Sequence, residues 1–179
     1  MRLFLAFPIP SDQSRALAKL RRARQGWRWI DEDSFHLTLA FLGEVGRAEA
    51  EDLDAALSAM TIVPPEITLS GIGHFGSRAP RAVWVGAAPS QPLADLAERV
   101  TGAARRSGIP VERRKFVPHV TLARLNATAS AEDVARFAES VGDMRLPPFT
   151  PRAVTLFRSH LRPEGPLYEP LADYPDGWP

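Results

Sequence analysis

One word occurs twice in the chain: His36-Leu37-Thr38-Leu39 and His119-Val120-Thr121-Leu122, each followed by an alanine, Ala40 and Ala123. Both copies read as β-strand, where residues i and i+2 share a face. His36 and Thr38 therefore point one way and Leu37 and Leu39 the other, and the second copy repeats the arrangement. An unperturbed imidazole titrates near ~6.5, so at neutral pH one ring can be neutral while another is charged. Two histidines facing each other across a cleft can then act as base and acid of one displacement, each contributing about 10²–10⁴-fold. The hydroxyls of Thr38 and Thr121, two residues on, are donors for charge that builds up between the rings.

The repeated word holds two of the four histidines, and its copies lie close to half a chain length apart in 179 residues. That spacing suits a duplicated strand unit with a pseudo-twofold relation, meeting at a shared cleft. The surrounding pattern alternates between strand and helix periods. Residues 2–8 read as a strand. Ser11 caps a helix carrying Ala16, Leu17, Leu20 and Ala23 that ends at Gly26. The first HxTL strand covers 35–42, and a helix over 47–60 carries Leu53, Ala56, Leu57 and Met60. Strands follow at 66–72 and 82–87. Ser90 caps a helix with the stripe Leu93, Leu96, Ala97, Val100 and Ala104, and Pro118 introduces the second HxTL strand, 119–125. Ser130 and Asp133 signal a capped helix over 131–141. Strands at 152–161 and 167–172 close the pattern, and the tail from Tyr174 to Pro179 reads as poorly tied down. The expected fold is α+β: a bilobal, pseudo-twofold arrangement of antiparallel sheets around a central cleft, helices outside, as a single domain over 1–179.

Composition narrows the chemistry. There is no cysteine, which excludes disulfides, thiolate nucleophiles and zinc–thiolate sites. No GxxxxGK[ST] loop, no HExxH and no cluster at metal-ligand spacing is present, so neither ATP nor a metal cofactor is expected. No run approaches a membrane span and none reads as a signal peptide, so the expectation is a cytoplasmic monomer without membrane contact. Net charge is only +1. Basic residues nonetheless cluster, with Arg15, Lys19, Arg21, Arg22, Arg24 and Arg28 in one segment and Arg105, Arg106, Arg113, Arg114 and Lys115 in another. Each reads either as a solvated face or as a rim attracting a polyanion.

The words HLTLAFLG and PHVTLAR, with RLFLAFPIP near the start and LFRSHLRPEGPLYEPL late in the chain, resemble the 2H phosphoesterase superfamily. The branch they are most similar to is the RNA 2′,3′-cyclic phosphodiesterase, or 2′-5′ RNA ligase (LigT-like), family. The resemblance runs from Arg2 to about Leu171. It implies metal-independent hydrolysis of RNA 2′,3′-cyclic phosphodiester ends to 2′-phosphomonoesters, with weak, reversible, ATP-independent 2′-5′ ligation. RNA ends or cyclic nucleotides are the implied partners. It places His36 at the general acid, His119 at the general base, Thr38 and Thr121 at the phosphate-binding hydroxyls, and Arg124 at a substrate-phosphate position. His74 and His160 match nothing in it and are read as non-catalytic. Strict alternation puts Arg124 on the face opposite His119 and Thr121, unless the strand bends or ends there or the long side chain wraps around.

The chemistry of the residues agrees. Opening a cyclic phosphodiester needs a base for water and an acid for the leaving alkoxide, and hydroxyls and a guanidinium suit the charge on the non-bridging oxygens. Other readings stay open: two core strands whose His and Thr satisfy each other, a two-histidine metal site, a non-catalytic RNA-end-binding module, or a phosphodiesterase for a small cyclic nucleotide. Phe4, Phe41, Phe116, Trp84 and Tyr168 are candidates for stacking a base.

Overall fold

The computed structural model describes residues 1–76, 79–112, 114–162 and 165–175. Among them the chain runs β1 (Arg2–Pro8), α1 (Ser11–Ala18), β2 (Trp27–Trp29), a 3-10 turn (Glu32–Ser34), β3 (His36–Glu44), α2 (Arg47–Ser58), β4 (Leu69–Phe75), β5 (Ala82–Ala87), α3 (Gln91–Arg106), β6 (His119–Leu125), α4 (Ala131–Val141), β7 (Val154–His160) and β8 (Leu167–Tyr174). The strands form one antiparallel sheet in the order β4-β5-β6-β3-β1-β7-β8, with β2 also on β6. This is the α+β, pseudo-twofold arrangement that the repeated word implies, with the two halves meeting at the β3–β6 seam.

The seam is short. β3 pairs with β6 at Leu37 and Val120. Beyond it β2 takes the place beside β6, from Ala123 to Leu125. Leu37 and Val120 are fully buried. They belong to the face covered by helices: α3 packs on β3, α2 on α3, and α4 on β4. The stripe expected in α3 is buried, with Leu93, Leu96, Ala97, Val100 and Ala104 all in the core. Its start is capped by Ser90, whose Oγ accepts from Leu93 N. In α4 the capping box forms in full, Ser130 Oγ accepting from Asp133 N and Asp133 Oδ2 from Ser130 N. Caps of this kind stabilise a helix by about 1 kcal/mol.

Three expectations need correction. The first helix stops at Ala18 rather than at Gly26, and Ser11 is its first residue, with no side-chain cap. Tightened bonds, Leu20 N to Leu17 O and Arg21 N to Ala18 O, end it. The basic run then leaves the helix: Arg21 donates to Ile30 O, and Arg24 lies 5.4 Å from the Trp27 ring centroid and 5.5 Å from that of Phe137. The second is β2, a strand the helical reading hid. The third is the tail. Tyr174 is buried and its hydroxyl donates to Asp54 Oδ1 across 2.5 Å, so β8 is anchored to α2; residues 176–179 lie outside the described residues. Among the described residues no helix is long and apolar enough to cross a membrane.

Candidate active site

His36 and His119 open their strands, and each ring is tied back to the chain just before it. His36 Nδ1 lies 2.7 Å from Ser34 O, and His119 Nδ1 lies 2.7 Å from Val117 O. A carbonyl only accepts, so Nδ1 carries the proton in both rings and Nε2 is left as the reacting nitrogen. A neutral ring then offers a lone pair at Nε2, and a charged one offers a proton from the same atom.

Aromatic rings hold both imidazoles, and they do so symmetrically. Tyr168, on edge strand β8, meets His36 edge-on at 4.9 Å and 81°. Phe75, on the opposite edge strand β4, meets His119 edge-on at 4.8 Å and 83°. The strand beside each histidine adds a tilted ring, Phe4 at 5.0 Å from His36 and Trp84 at 5.7 Å from His119. Phe157 packs on Phe4 and stands 6.3 Å from His36. Of the proposed stacking aromatics, Phe4, Trp84 and Tyr168 thus surround the histidines, while Phe116 packs against the core. Nothing local in the sequence singles out Phe75 and Phe157, because only cross-strand register brings them to the rings.

Thr38 and Thr121 are half-exposed on the same face as the histidines. Neither hydroxyl has a hydrogen-bond partner among the described residues, so both are free to donate to a ligand. This removes the reading in which each His and Thr satisfy one another.

Arg124 corrects the strict-alternation expectation. In the β5–β6 pairing Trp84 faces Thr121 and Val83 faces Ala123, so Leu122 is an extra residue, a β-bulge. Leu122 and Ala123 are consecutively buried. The bulge resets the phase and returns Arg124 to the face of His119 and Thr121. The first word has the same bulge: Ala6 faces Thr38 and Leu5 faces Ala40, leaving Leu39 extra. Its sixth position is Phe41, 67% exposed and 6.2 Å from Phe4. The pseudo-symmetry therefore breaks there, with an aromatic ring in one half and a guanidinium in the other.

Burial lowers the pKa of both imidazoles. His36 falls to about 4, because desolvation outweighs the Ser34 hydrogen bond and the nearby charges of His119 and Arg124 disfavour a further proton. His119 is lowered by desolvation against the opposing Val117 bond. Without a ligand, burial favours the neutral form of both rings at pH 7.

The basic segments divide. Arg105 and Arg106 end α3 in the helix layer, behind the sheet, and Arg114 pairs with Glu112; Arg113 lies outside the described residues. On the histidine face the arginine beside Arg124 is Arg28, directly opposite it across β2–β6. The alternation Trp27-Arg28-Trp29 was the signal for that strand. His160 pairs with Glu169 at the outer strands, away from the two words. Among the described residues, no three His, Cys, Asp or Glu side chains converge as a metal site.

Known proteins place this geometry in context. The family model of the 2′-5′ RNA ligase superfamily matches residues 7–161. A Methanocaldococcus jannaschii protein named RNA 2′,3′-cyclic phosphodiesterase is 30% identical, over 97% of this chain and 100% of its own length. A crystal structure from Thermus thermophilus superposes with a TM-score of 0.79 at 29% identity, covering 97% of this chain and 96% of that one. Escherichia coli LigT complexed with 3′-AMP superposes with a TM-score of 0.78 at 27% identity, covering the same 97% and 96%. With the match spanning both HxTL words and the fold shared end to end, this chain belongs to the 2′-5′ RNA ligase superfamily.

Proposed function

We propose that the protein is an RNA 2′,3′-cyclic phosphodiesterase that opens cyclic phosphate ends to 2′-phosphomonoesters by two-histidine acid–base catalysis, without a metal. The observation that carries this reading is the pair of imidazoles with Nδ1 tied back and Nε2 free, on one face with two unpartnered threonine hydroxyls and Arg124. Relatives named for this activity at about 30% identity support it, as does the 3′-AMP bound to a solved relative.

In the reading, His119 Nε2 takes a proton from water as the oxygen attacks phosphorus. His36 Nε2 gives its proton to the departing O3′. Thr38, Thr121 and Arg124 donate to the non-bridging oxygens, where negative charge grows. His36 is neutral in the empty site, so it must take up a proton from solvent as the substrate binds. The bound phosphate supplies the negative charge that offsets Arg124 and stabilises an imidazolium. The same displacement with a ribose 5′-hydroxyl in place of water breaks the P–O3′ bond, leaves a 2′-5′ linkage and needs no ATP; attack by the freed 3′-hydroxyl reverses it, which accounts for a weak, reversible ligation. The enzyme of this reading works as a monomer in the cytoplasm, where RNA ends arise.

The test is hydrolysis of a 2′,3′-cyclic-phosphate-ended oligonucleotide, with product analysis, in the presence and absence of EDTA. Release of a 2′-phosphate that survives chelation supports the reading. Activity lost to EDTA and restored by zinc or manganese moves the case to a metal site, and no turnover of any cyclic phosphate moves it to an RNA-end-binding module.

A further inference from the structure

β2 is only three residues long, yet it places Arg28 directly opposite Arg124. Opposed positions on neighbouring antiparallel strands bring side chains to one face, at a strand spacing of about 4.8 Å. Like charges set opposite each other in this way are destabilising. Both side chains are exposed, and neither has a carboxylate partner among the described residues. Other arginines find theirs: Arg47 pairs with Glu51, and Arg136 with Glu132 and Asp133.

The pair is also built in place. Trp27 and Trp29, on either side of Arg28, pack edge-on against Phe137 of α4 at 5.2 and 5.6 Å. They turn Arg28 to the histidine face. A cavity of about 410 Å³ adjoins it, lined by Gly26, Trp27, Arg28, Arg124, Leu125 and Asn126. Asn126 uses its side-chain carbonyl to accept from Thr128 N and Oγ1, at 2.9 and 2.7 Å. Its amide NH₂ has no partner among the described residues. Gly165, between β7 and β8, lies close to Arg28: an added Cβ there would stand 3.8 Å from Arg28 Cζ.

We propose that Arg28 binds a second phosphate, the phosphodiester immediately 5′ of the cyclised nucleotide, so that the site is built for an RNA end rather than a free cyclic nucleotide. This rests on the hydrolase reading above. A cyclic phosphodiester carries one negative charge, and Arg124 with an imidazolium already answers it. Arg28 lies one strand farther from the histidines, and its charge calls for a further anion. In a chain of nucleotides the next anion is the neighbouring phosphate.

The experiment compares the wild type, Arg28→Met and Arg28→Lys on a nucleoside 2′,3′-cyclic monophosphate and on a dinucleotide ending in the same group. Binding of the 2′-phosphate-ended dinucleotide is titrated with salt in parallel. Arg28→Met should lose about tenfold more kcat/KM on the dinucleotide than on the mononucleotide, as expected for one charged hydrogen bond. Its binding should lose about 0.7 from the slope of log K against log salt, one single-strand phosphate contact. Arg28→Lys should keep that slope. Equal losses on both substrates, or an unchanged slope, overturn the proposal. If the wild type hydrolyses neither substrate, the hydrolase reading fails, and the salt slope alone decides the role of Arg28.

Discussion

Leu37 lies opposite Val120 where β3 meets β6, and both are fully buried beneath the site. In an antiparallel pair this register sets Thr121 beside His36 and His119 beside Thr38. Each imidazole thus has the other word's hydroxyl as its neighbour. A phosphate centred over the Leu37–Val120 pair would meet one nitrogen and one hydroxyl from each half. The proposed in-line displacement asks for base and acid on opposite sides of phosphorus, and one histidine from each half suits it.

The leaving group tests the proposed division of labour between the histidines. His36→Ala should be slowed about 10²–10⁴-fold on a ribose leaving group. It should recover much of its rate on an analogue whose leaving group has a low pKa, since that group departs without a proton. His119→Ala should stay slow on both. Rescue of His119→Ala but not of His36→Ala would reverse the roles, an outcome the deeper burial of His36 makes worth testing first.

The pH–rate profile should lean to the acid side. The productive free enzyme needs one charged and one neutral ring, and both pKa values lie below 6.5, with His36 near 4. As pH rises past them, the charged ring is lost. kcat/KM should therefore peak below about pH 6.5 and fall above it. Bound phosphate raises both pKa values, so kcat should peak at higher pH than kcat/KM. A kcat/KM that climbs to a plateau in alkali would show that no imidazolium is needed.

Arg124→Met should act in two ways. Loss of a charged donor to the phosphate should lower kcat/KM by about 10- to 100-fold, and Arg124→Lys should restore only part of it, lacking the planar fork. Removing a positive charge near His36 should also raise that ring's pKa above about 4, which an NMR titration of its ring protons would read. An unmoved His36 titration would place Arg124 away from the site.

Gly73→Ala tests how His119 is held. A Cβ on Gly73 would stand 2.1 Å from Trp84 Cη2, closer than atoms can approach. The indole, packed 5.7 Å from the His119 ring, must shift. Activity should fall, with a loss of about 1–3 kcal/mol in stability by denaturant unfolding. Adding Trp84→Phe, with its smaller ring, should restore stability. Wild-type kcat and Tm in Gly73→Ala would show that Trp84 does not position the histidine.

Much of this site is legible in the chain because strand alternation is local. The period of two puts His36 with Thr38 and His119 with Thr121 whatever the rest of the fold does. Caps are local too, and Ser90 and Ser130 start their helices where their spacing indicates. The repetition of the word close to half a chain length apart implies two related halves from the sequence alone.

Tertiary structure decided what depends on register between strands. The bulges at Leu39 and Leu122 are set by the partners β1 and β5, so the face of Arg124 could not be read from β6 alone. The rings around the histidines come from β1, β4, β5 and β8, residues far apart in sequence that only pairing aligns. The basic run after α1 has good helix formers, but Trp27 and Trp29 gain more by packing on Phe137, and that long-range burial overrides local propensity. The sequence determined which groups could do the chemistry; the pairing of strands decided which of them share a face, because a shift of one residue turns every side chain over.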